Sequence, residues 1–467
     1  SASEDGGARD LSRTEDWRVN LKFGYTPNAT DEYSLSYTRQ AGAKNAPLST
    51  TDPVSIQRYW SWPDWNIDSV YFLSTTQLVP GVTLKTRLYR NGFDNLLRAF
   101  DNAGQNSQTL RRAFNSYYRD VAWGGSAQLD ADLSAADTLS VALHYRRDRH
   151  VEYQQVFPSG FTEPHQRNEE DTWSVAAQNR IVLSPAVSLT VGASYDWRDL
   201  RRAEEYGTPP GGGADALFSY PMRDAHAFNA QGQLVWTPAA GTRLHASVSS
   251  RARFPTVFER FSSRFGGAVS NPGLKAERAT HFEIGGSQDL GTLRAEGAVF
   301  YARVADAIVA FPLIYDGQAV TQSRNLGKGD YYGAELSLSG AIGATLTAGA
   351  NYTYVHRDLH DPTNAAFQPT GVPRHKAFAY LEWRPVPALH IQPSVEITSD
   401  RWTATTDGSR YYRTGSYVQA NLRIDYDVTE NIGIGIGVRN AFDDSYVLTD
   451  GFPEPGRRYF LTARAKL

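Results

Sequence analysis

The residues best suited to bind a ligand form a short aromatic group near residue 60. The group combines one guanidinium with four large rings, in the residues Arg58, Tyr59, Trp60, Trp62 and Trp65. Aromatic faces stack on planar groups and attract cations, and a guanidinium pairs with anions. These residue types predict a surface for a planar, negatively charged chelate. The alternative is that the rings form a membrane-interface belt or the core of a loop.

A second candidate is a set of basic residues that could line a channel: Lys85, Arg87, Arg146, Arg147 and Arg149. Inward-facing cations would attract anions into a lumen. The same side chains could instead pair with carboxylates of a plug inside the lumen, or with Asp425 and its neighbours. We interpret the three arginines between 146 and 149 as inward-facing and include Arg146 in the predicted ligand site.

Other kinds of chemistry have little support in the sequence. Imidazoles and carboxylates cluster at His356, Asp358, His360 and Asp361, but a non-helical segment bounded by proline does not assure a metal-ligating face. The chain has no cysteine, a single methionine and no Gly-x-Ser-x-Gly motif. We therefore predict no catalytic residue, no metal site and no cofactor, and expect that the protein is not an enzyme.

Charge and hydropathy exclude two broad classes of protein. The formal net charge of −3 provides no basic surface for nucleic acid. The longest uncharged apolar stretches, such as 307–315 and 432–438, are much shorter than the roughly 20 residues of a membrane-spanning helix.

Alternation with a period of two residues is the strongest structural signal. It predicts that one face of a strand points to lipid, with Val418, Ala420, Leu422, Ile424 and Tyr426. The opposite face would point to the lumen, with Gln419, Asn421, Arg423 and Asp425. Comparable runs occur throughout the chain and often exceed the usual strand length of about 5–6 residues. This length favours membrane-crossing strands over a soluble sandwich or solenoid, which alternation alone would also allow.

The breaks between these runs alternate between tight turns and long loops. We count nine of each, and the aromatic group falls in the first long break, at about 40–66. Short turns on one rim and long loops on the other are typical of outer-membrane barrels. The predicted fold is an all-β, transmembrane, antiparallel up-and-down β-barrel with about 19 strands in this chain.

An odd number of strands carries a further expectation, because bacterial single-chain barrels usually have an even number. We expect three strands before residue 1, giving 22 strands in total. Residues 1–15 would then be the end of an outer loop and 16–467 the barrel domain. Residue 1 would lie on the long-loop side and Leu467 on the short-turn side.

Four groups of residues in the second half, taken together and in order, resemble signatures of TonB-dependent outer-membrane receptors. The first two groups are Arg253, Phe254, Pro255, Glu259 and Arg260, and then Asn271, Pro272, Leu274, Lys275, Ala276 and Glu277, followed by Phe282, Glu283, Ile284 and Gly285. The other two are Asn325, Gly327, Gly333 and Glu335, and then Asn440, Phe442, Asp443, Tyr446, Pro455, Gly456, Arg457 and Tyr459.

The resemblance implies an active transporter in the bacterial outer membrane that imports ferric siderophores or a similar metal chelate. It implies energy from the TonB-ExbB-ExbD complex, contact with outer-membrane lipid and lipopolysaccharide, and a monomer. Cobalamin or other nutrient uptake and a passive diffusion channel remain alternatives, with an adhesin or enzyme barrel as a third class. The sequence departs from the family pattern because it contains no plug domain and no energy-coupling box, and because it ends in Leu467 instead of an aromatic residue.

Overall fold

The structure is a computed structural model that describes residues 9–466, except 263–266, 316–317, 362–363 and 407. Leu467 and residues 1–8 of the expected outer loop lie outside the described residues. The expectations for them therefore stay predictions.

Nineteen strands in the described part of the chain pair in sequence order into one continuous antiparallel sheet, each with the next. The strands are β1 Thr14–Tyr25, β2 Glu32–Asn45, β3 Tyr59–Val79, β4 Val82–Phe100, β5 Phe114–Ser134, β6 Asp137–Val156, β7 Gln166–Ser184, β8 Val187–Gly207, β9 Ala225–Ala239, β10 Thr242–Arg253, β11 Glu277–Leu290, β12 Leu293–Ala305, β13 Lys328–Ala341, β14 Leu346–Leu359, β15 His375–Val386, β16 Leu389–Thr398, β17 Tyr417–Asp427, β18 Ile432–Arg439 and β19 Arg458–Ala465.

Short and long connections alternate along the whole sheet, as the sequence predicts. The chain turns in two residues between β3 and β4, between β5 and β6, and between β7 and β8. On the opposite rim the connection from β10 to β11 spans 254–276. The described start of β1 is on the long-loop rim and the end of β19 is on the short-turn rim. The expected nearly all-β, antiparallel architecture is confirmed.

Loop contacts show that the sheet curls until its two ends approach one another. The loop between β2 and β3 meets the loop between β18 and β19, where the Thr50 amide donates to the Gly451 carbonyl at 2.9 Å. Thr51 Oγ1 also donates to Asp450 Oδ2 at 3.1 Å. Loops near opposite ends of a 19-stranded sheet can touch in this way only if the sheet curves round on itself. The curved sheet is called the wall below.

Cross-strand register separates the sheet into an apolar and a polar face. On β17 and its neighbours, Leu422 lies opposite Val438 and Ile424 opposite Ile436. Arg423 lies opposite Gln392, on the other face. Because side chains alternate along each strand, the two sets predicted to face lipid and lumen lie on opposite faces of the sheet.

The polar face is the inner one. The connection after β10 contains the short helix α1 Val257–Phe261, which packs against β8, β7 and β6, two to four strands along the sheet. There Ser262 Oγ donates to Glu152 Oε2 at 2.7 Å, on the polar face of β6. Outer-membrane barrels place the apolar face toward lipid and the polar face inward, so this docked part of the loop lies on the inside of the wall.

The remaining described elements are small and lie in the long loops. They are the 3-10 turn Val54–Ile56 and the short strands Ala216–Ser219, Ala268–Val269, Ile308–Tyr315, Gln318–Asn325, Arg401–Ala404, Tyr411–Thr414, Val447–Thr449 and Phe452–Pro453. Within the described ranges, no helix has the length and apolar character needed to cross a bilayer.

We predict that Leu422→Arg prevents folding in bilayers, whereas Arg423→Leu does not. A charge facing the middle of the bilayer costs on the order of 2–4 kcal/mol, and Arg423 lies on the opposite face. The measurement is the heat-modifiable fraction on electrophoresis after refolding into lipid. Equal folding yields for the two variants would contradict the assignment of the faces.

Candidate functional site

The structure corrects the position of the predicted aromatic group. The loop after β2 covers only 46–58, so Tyr59, Trp60, Trp62 and Trp65 begin β3 instead of lying in a loop. Their backbones pair with the ends of β2 and β4, with Trp62 opposite Lys44 and Trp65 opposite Gly42. The rings are therefore carried by the wall itself, at its long-loop rim.

Three of these tryptophans join two phenylalanines in a continuous row, which we call the ring row. Its members, in spatial order, are Phe114, Trp60, Trp62, Trp65 and Phe93. Neighbouring ring centroids are 5.1–6.2 Å apart and the ring planes meet at 72–84°, the edge-to-face geometry that aromatic pairs favour. The register places Phe93 opposite Asp120, whose carboxylate binds the inner-face residue His150, so the ring row faces the lumen.

Tyr59 lies apart from the ring row. It is buried, and the Arg112 guanidinium is 5.1 Å from its ring centroid. The alternation of β3 turns Tyr59 to the face opposite Trp60. Of the four predicted rings, the structure brings three together.

Two cations lie on the ring row. The Lys44 ammonium is 3.2 Å from the centroid of Trp65 and 5.1 Å from that of Trp62, and the Arg58 guanidinium is 4.9 Å from that of Trp60. No carboxylate in the described ranges lies within 4.0 Å of either cation. Burial lowers the pKa of Lys44. Within the same described part, the indole Nε1–H of Trp62 is buried without a hydrogen-bond acceptor.

Sequence reasoning missed Lys44, although its position opposite Trp62 makes it the central cation of the ring row. Lys44 could have been found by pairing the end of β2 with the start of β3 across the first long loop. This pairing can be recognised only when β2 is known to reach Asn45 and β3 to begin at Tyr59.

Arg146 lies on the inner face of β6, but well below the ring row. It pairs with Asp148 at 2.6 Å and is level with Gly124, Tyr89 and Tyr71 on the neighbouring strands. Tyr71 is six residues along β3 from Trp65, which corresponds to about 20 Å. The predicted site residues therefore lie at two levels along the strands, with Arg146 below the ring row.

The interpretation of Arg147 and Arg149 as inward-facing is wrong. Arg147 pairs with Asp171 at 2.6 Å and lies 5.7 Å from the ring centroid of Trp123, on the face that also carries Leu143. Arg149 shares the parity of Arg147 along the strand and therefore points outward as well. Only alternate residues of a strand can face the lumen.

A buried polar cluster on the inner wall was not found from the sequence. Helix α1 contributes Arg260, which pairs with Glu170 of β7, while Arg198 of β8 donates to the Pro255 carbonyl at 3.0 Å. Next to them, His150 contacts Asp120 and lies 3.0 Å from Glu152. Arg260 and Glu170 are 90 residues apart in sequence, so no local pattern could indicate that they pair.

Residues 2–441 match the family model described as TonB dependent receptor-like, beta-barrel. The chain belongs to this family. The expected resemblance is confirmed, and with it the location of this receptor barrel in the outer membrane. The family and the structural neighbours are receptors and transporters, in agreement with the expectation that the chain is not an enzyme.

The receptor barrel is also similar to individual proteins. The iron-regulated outer membrane virulence protein of Vibrio cholerae is 25% identical over 310 residues, which cover 61% of this chain and 45% of that protein. The chain thus spans about half the length of the curated relatives it matches. Among solved structures, the copper transporter OprC has a TM-score of 0.80 at 17% identity, covering 98% of this chain and 73% of that one.

A second solved structure, the FrpB iron transporter from Neisseria meningitidis, has a TM-score of 0.76 at 17% identity. It covers 99% of this chain and 74% of that one. At this level of identity, the two structures establish the shared fold alone.

The signature residues of the receptor barrel have structural roles at the start of the inward loop. Arg253 pairs with Glu259 at 2.9 Å and with Glu277 at 2.6 Å, so it ties α1 to the next wall strand. Asn325 accepts from the Lys275 amide at 2.8 Å. These contacts hold helix α1 against the inner wall and fix the start of the next strand.

We predict that alkaline pH loosens the segment 254–276. Burial by itself lowers the pKa of His150, but its hydrogen bonds to Asp120 and Glu152 outweigh burial and raise the pKa to about 9. His150 lies about 40 Å along β6 from the short turn, beyond the roughly 9–11 residues that cross the bilayer. Its stabilising charge is fully present below the unfolded pKa near 6.5 and is lost as the pH rises through about 9.

The measurement is hydrogen exchange of the α1 amides at several pH values, corrected for the intrinsic rate. We expect protection to fall at least tenfold between about pH 6.5 and 9, because one unit of pKa shift corresponds to about 1.4 kcal/mol. His150→Gln should lower protection at neutral pH and flatten this profile. An identical pH profile in the variant would contradict the role of His150.

Proposed function

We propose that the protein is the barrel of an outer-membrane active transporter that imports ferric siderophores or a similar metal chelate. The observation that carries this proposal is the ring row with Lys44 and Arg58, on the inner face of a receptor barrel at its long-loop rim. A chelate arriving from outside the cell would meet this surface before the rest of the lumen.

The charge of the surface supports an anionic chelate. Arginines elsewhere on the wall are commonly neutralised, as Arg90 is by Asp68 and Arg119 by Asp94 at 3.2 Å. Lys44 and Arg58 are held against aromatic faces without a carboxylate in ion-pairing range among the described residues. A planar anion could stack on the rings and receive hydrogen bonds from the Lys44 ammonium.

The names of the relatives support iron as the metal. The Vibrio protein is called iron-regulated, and one solved neighbour is named a ferric-catecholate import receptor. The copper transporter among the neighbours shows that metal identity varies on this fold. Cobalamin or other nutrient uptake by the same mechanism is the second candidate.

The remaining parts of the transporter are included in the proposal. We expect residues 1–15, of which Thr14 and Glu15 already belong to β1, to continue an outer loop. Residues 16–467 would form the barrel domain, and three further strands and a plug would complete the protein. Two facts support this expectation. The chain covers 73% of the copper transporter, and no described strand pairs with the edge of β1 that faces away from β2. TonB-ExbB-ExbD would act on the plug, and the monomer would contact lipid and lipopolysaccharide.

We predict that chelate uptake requires energy. Cells that produce the natural protein should accumulate a radiolabelled ferric chelate, and a protonophore should abolish accumulation while leaving binding at the cell surface intact. A passive diffusion channel would instead equilibrate the chelate with or without the protonophore. Uptake that is insensitive to the protonophore would favour that alternative.

We predict that replacing Trp60, Trp62 and Trp65 together by Ala weakens chelate binding tenfold or more. Ring stacking and a cation partner can each supply about 0.5–2 kcal/mol, and 1.4 kcal/mol is tenfold. Chelate binding to outer-membrane vesicles is measured beside heat-modifiability, which should stay unchanged. Unaltered affinity in the folded variant would show that the three rings have a structural role and do not bind the chelate.

We predict that Lys44→Gln weakens binding of a ferric tris-catecholate of charge −3 about tenfold and leaves a neutral ferric trihydroxamate unaffected. The matched control is Arg39→Gln, which removes a cation from the opposite face of the same strand. Titration of the protein's tryptophan fluorescence reports both ligands. Equal losses for the two chelates would show that Lys44 does not select for charge.

A further inference from the structure

A cavity of about 410 Å³ lies on the outer face of the wall, near the long-loop ends of β3–β6. Its volume is within the range of small-molecule sites. The side chains that give it its chemistry are Asp64 and Asn66 of β3, Asp94 of β4, Tyr117 and Arg119 of β5, and Tyr153 of β6. The register places Asp94 between Asn66 and Arg119, and alternation turns it away from Phe93 and the ring row. The cavity therefore lies outside the lumen.

The cavity also lies beyond the hydrocarbon layer of the membrane. Trp123 and Tyr145 form an edge-to-face pair on the outer face, with ring centroids 5.4 Å apart, and such rings mark the membrane boundary. The part of β5 from Trp123 to the short turn is about as long as a strand that crosses a bilayer. Tyr117 is six residues farther out, which corresponds to about 20 Å along the strand. The cavity is thus at the level where the sugars of outer-leaflet lipids surround the barrel.

Three stacked rings form one side of the cavity. Tyr117 and Tyr153 lie opposite one another in the register, with centroids 4.6 Å apart and planes at 6°. His165 stacks on the other face of Tyr153 at 4.2 Å and 16°. The distance between the two tyrosines matches the spacing of neighbouring strands, so the ring faces look along the sheet. The free face of Tyr117 therefore points toward β4 and β3, where the polar side chains of the cavity lie.

The polar side chains of the cavity leave a carboxylate unpaired. Within the described ranges, the side chains of Asp64 and Asn66 have no hydrogen-bond or ion-pair partner. Arg119 Nε donates to Asp94 Oδ1 at 3.2 Å, so the cation of the cavity is already neutralised. The charge is thus opposite to that of the ring row. It disfavours phosphate and other anions and leaves hydrogen-bond acceptors available to an uncharged ligand.

A sugar ring matches these groups. Its C–H face can pack on the free face of Tyr117, because the face of an aromatic ring carries partial negative charge. Its hydroxyls can donate to the Asp64 carboxylate and can both donate to and accept from the Asn66 amide. Tyr153 and His165 already hold Tyr117 in place, so little ordering is needed when the sugar binds.

We propose that this cavity binds an uncharged sugar of the lipopolysaccharide that surrounds the barrel. The membrane is the source because the cavity opens on the lipid side of the wall, just beyond the boundary that Trp123 marks. Asp64 and Asn66 hold the hydroxyls, and Tyr117 packs on the sugar ring. The inference rests on the proposed contact with lipopolysaccharide and assigns a site and a chemical class to that contact.

The test compares two lipopolysaccharides that differ in their uncharged sugars. The natural protein in detergent micelles is titrated with a form that carries a complete core and with a deep-rough form that lacks the outer hexoses. Native mass spectrometry measures the bound fraction, and we expect the complete form to bind at least tenfold more tightly. Asp64→Ala with Asn66→Ala, and separately Tyr117→Leu, should abolish this preference. The control Tyr195→Leu changes an exposed outer ring of β8 and should keep it.

Competition identifies the part of the lipopolysaccharide that occupies the cavity. A lipid-free, dephosphorylated core oligosaccharide should compete with the complete form, whereas inorganic phosphate should not. Competition by phosphate alone overturns the proposal. Equal binding of the two lipopolysaccharides to the natural protein also overturns it, as does an unchanged preference in variants that heat-modifiability shows to be folded.

The proposed import is tested separately in the same samples by chelate binding. Failure of the natural protein to bind any metal chelate, together with the expected preference for the complete lipopolysaccharide, overturns the proposed import and supports the sugar site. Chelate binding without that preference overturns the sugar site and leaves the proposed import standing.

Discussion

The backbone hydrogen-bond ladder is the constraint on which the rest of the structure depends. No water is available inside a bilayer to satisfy amide and carbonyl groups, so a spanning sheet must pair every strand with a neighbour. The nineteen strands do this in sequence order and curl until the loops of β2 and β18 touch. Because the sheet curls, it has an inner face, and every second side chain of a strand points to that face. The ring row and the buried cluster around Arg260 lie on that side.

The ladder does not stop at the membrane surface. Strands β3, β5 and β8 have 21 residues each, about twice the length that crosses a bilayer. The ring row stands on this extension, where two backbones hold Trp62 and Trp65 in register with Lys44 and Gly42. A ligand surface built on paired strands is more rigid than one carried by a loop, so less ordering is needed when the ligand binds.

The mouth of the barrel is asymmetric. The loop after β10 folds along the inner wall over β6–β8, where Arg260 of α1 pairs with Glu170. Breaking a buried ion pair of this kind costs on the order of 3–5 kcal/mol, which fixes the loop to that side. The inner wall of β3–β5 carries the ring row, with Lys44 of β2 beside it. The docked loop therefore covers β6–β8, while the neighbouring strands β3–β5 carry the surface to which we propose that the chelate binds.

The sequence by itself determined the fold class, the number of strands, the alternation of turns and loops, and the two faces of β17, because a period of two is a local property. The family followed from short motifs around Arg253 and Asn325. Tertiary structure alone decided where β3 begins, that Arg147 points outward, and that Lys44 lies on Trp65. Beyond the bilayer both faces of a strand meet water, so apolar alternation fades while pairing continues. Register and loop docking join residues that are remote in sequence, and no local pattern encodes them.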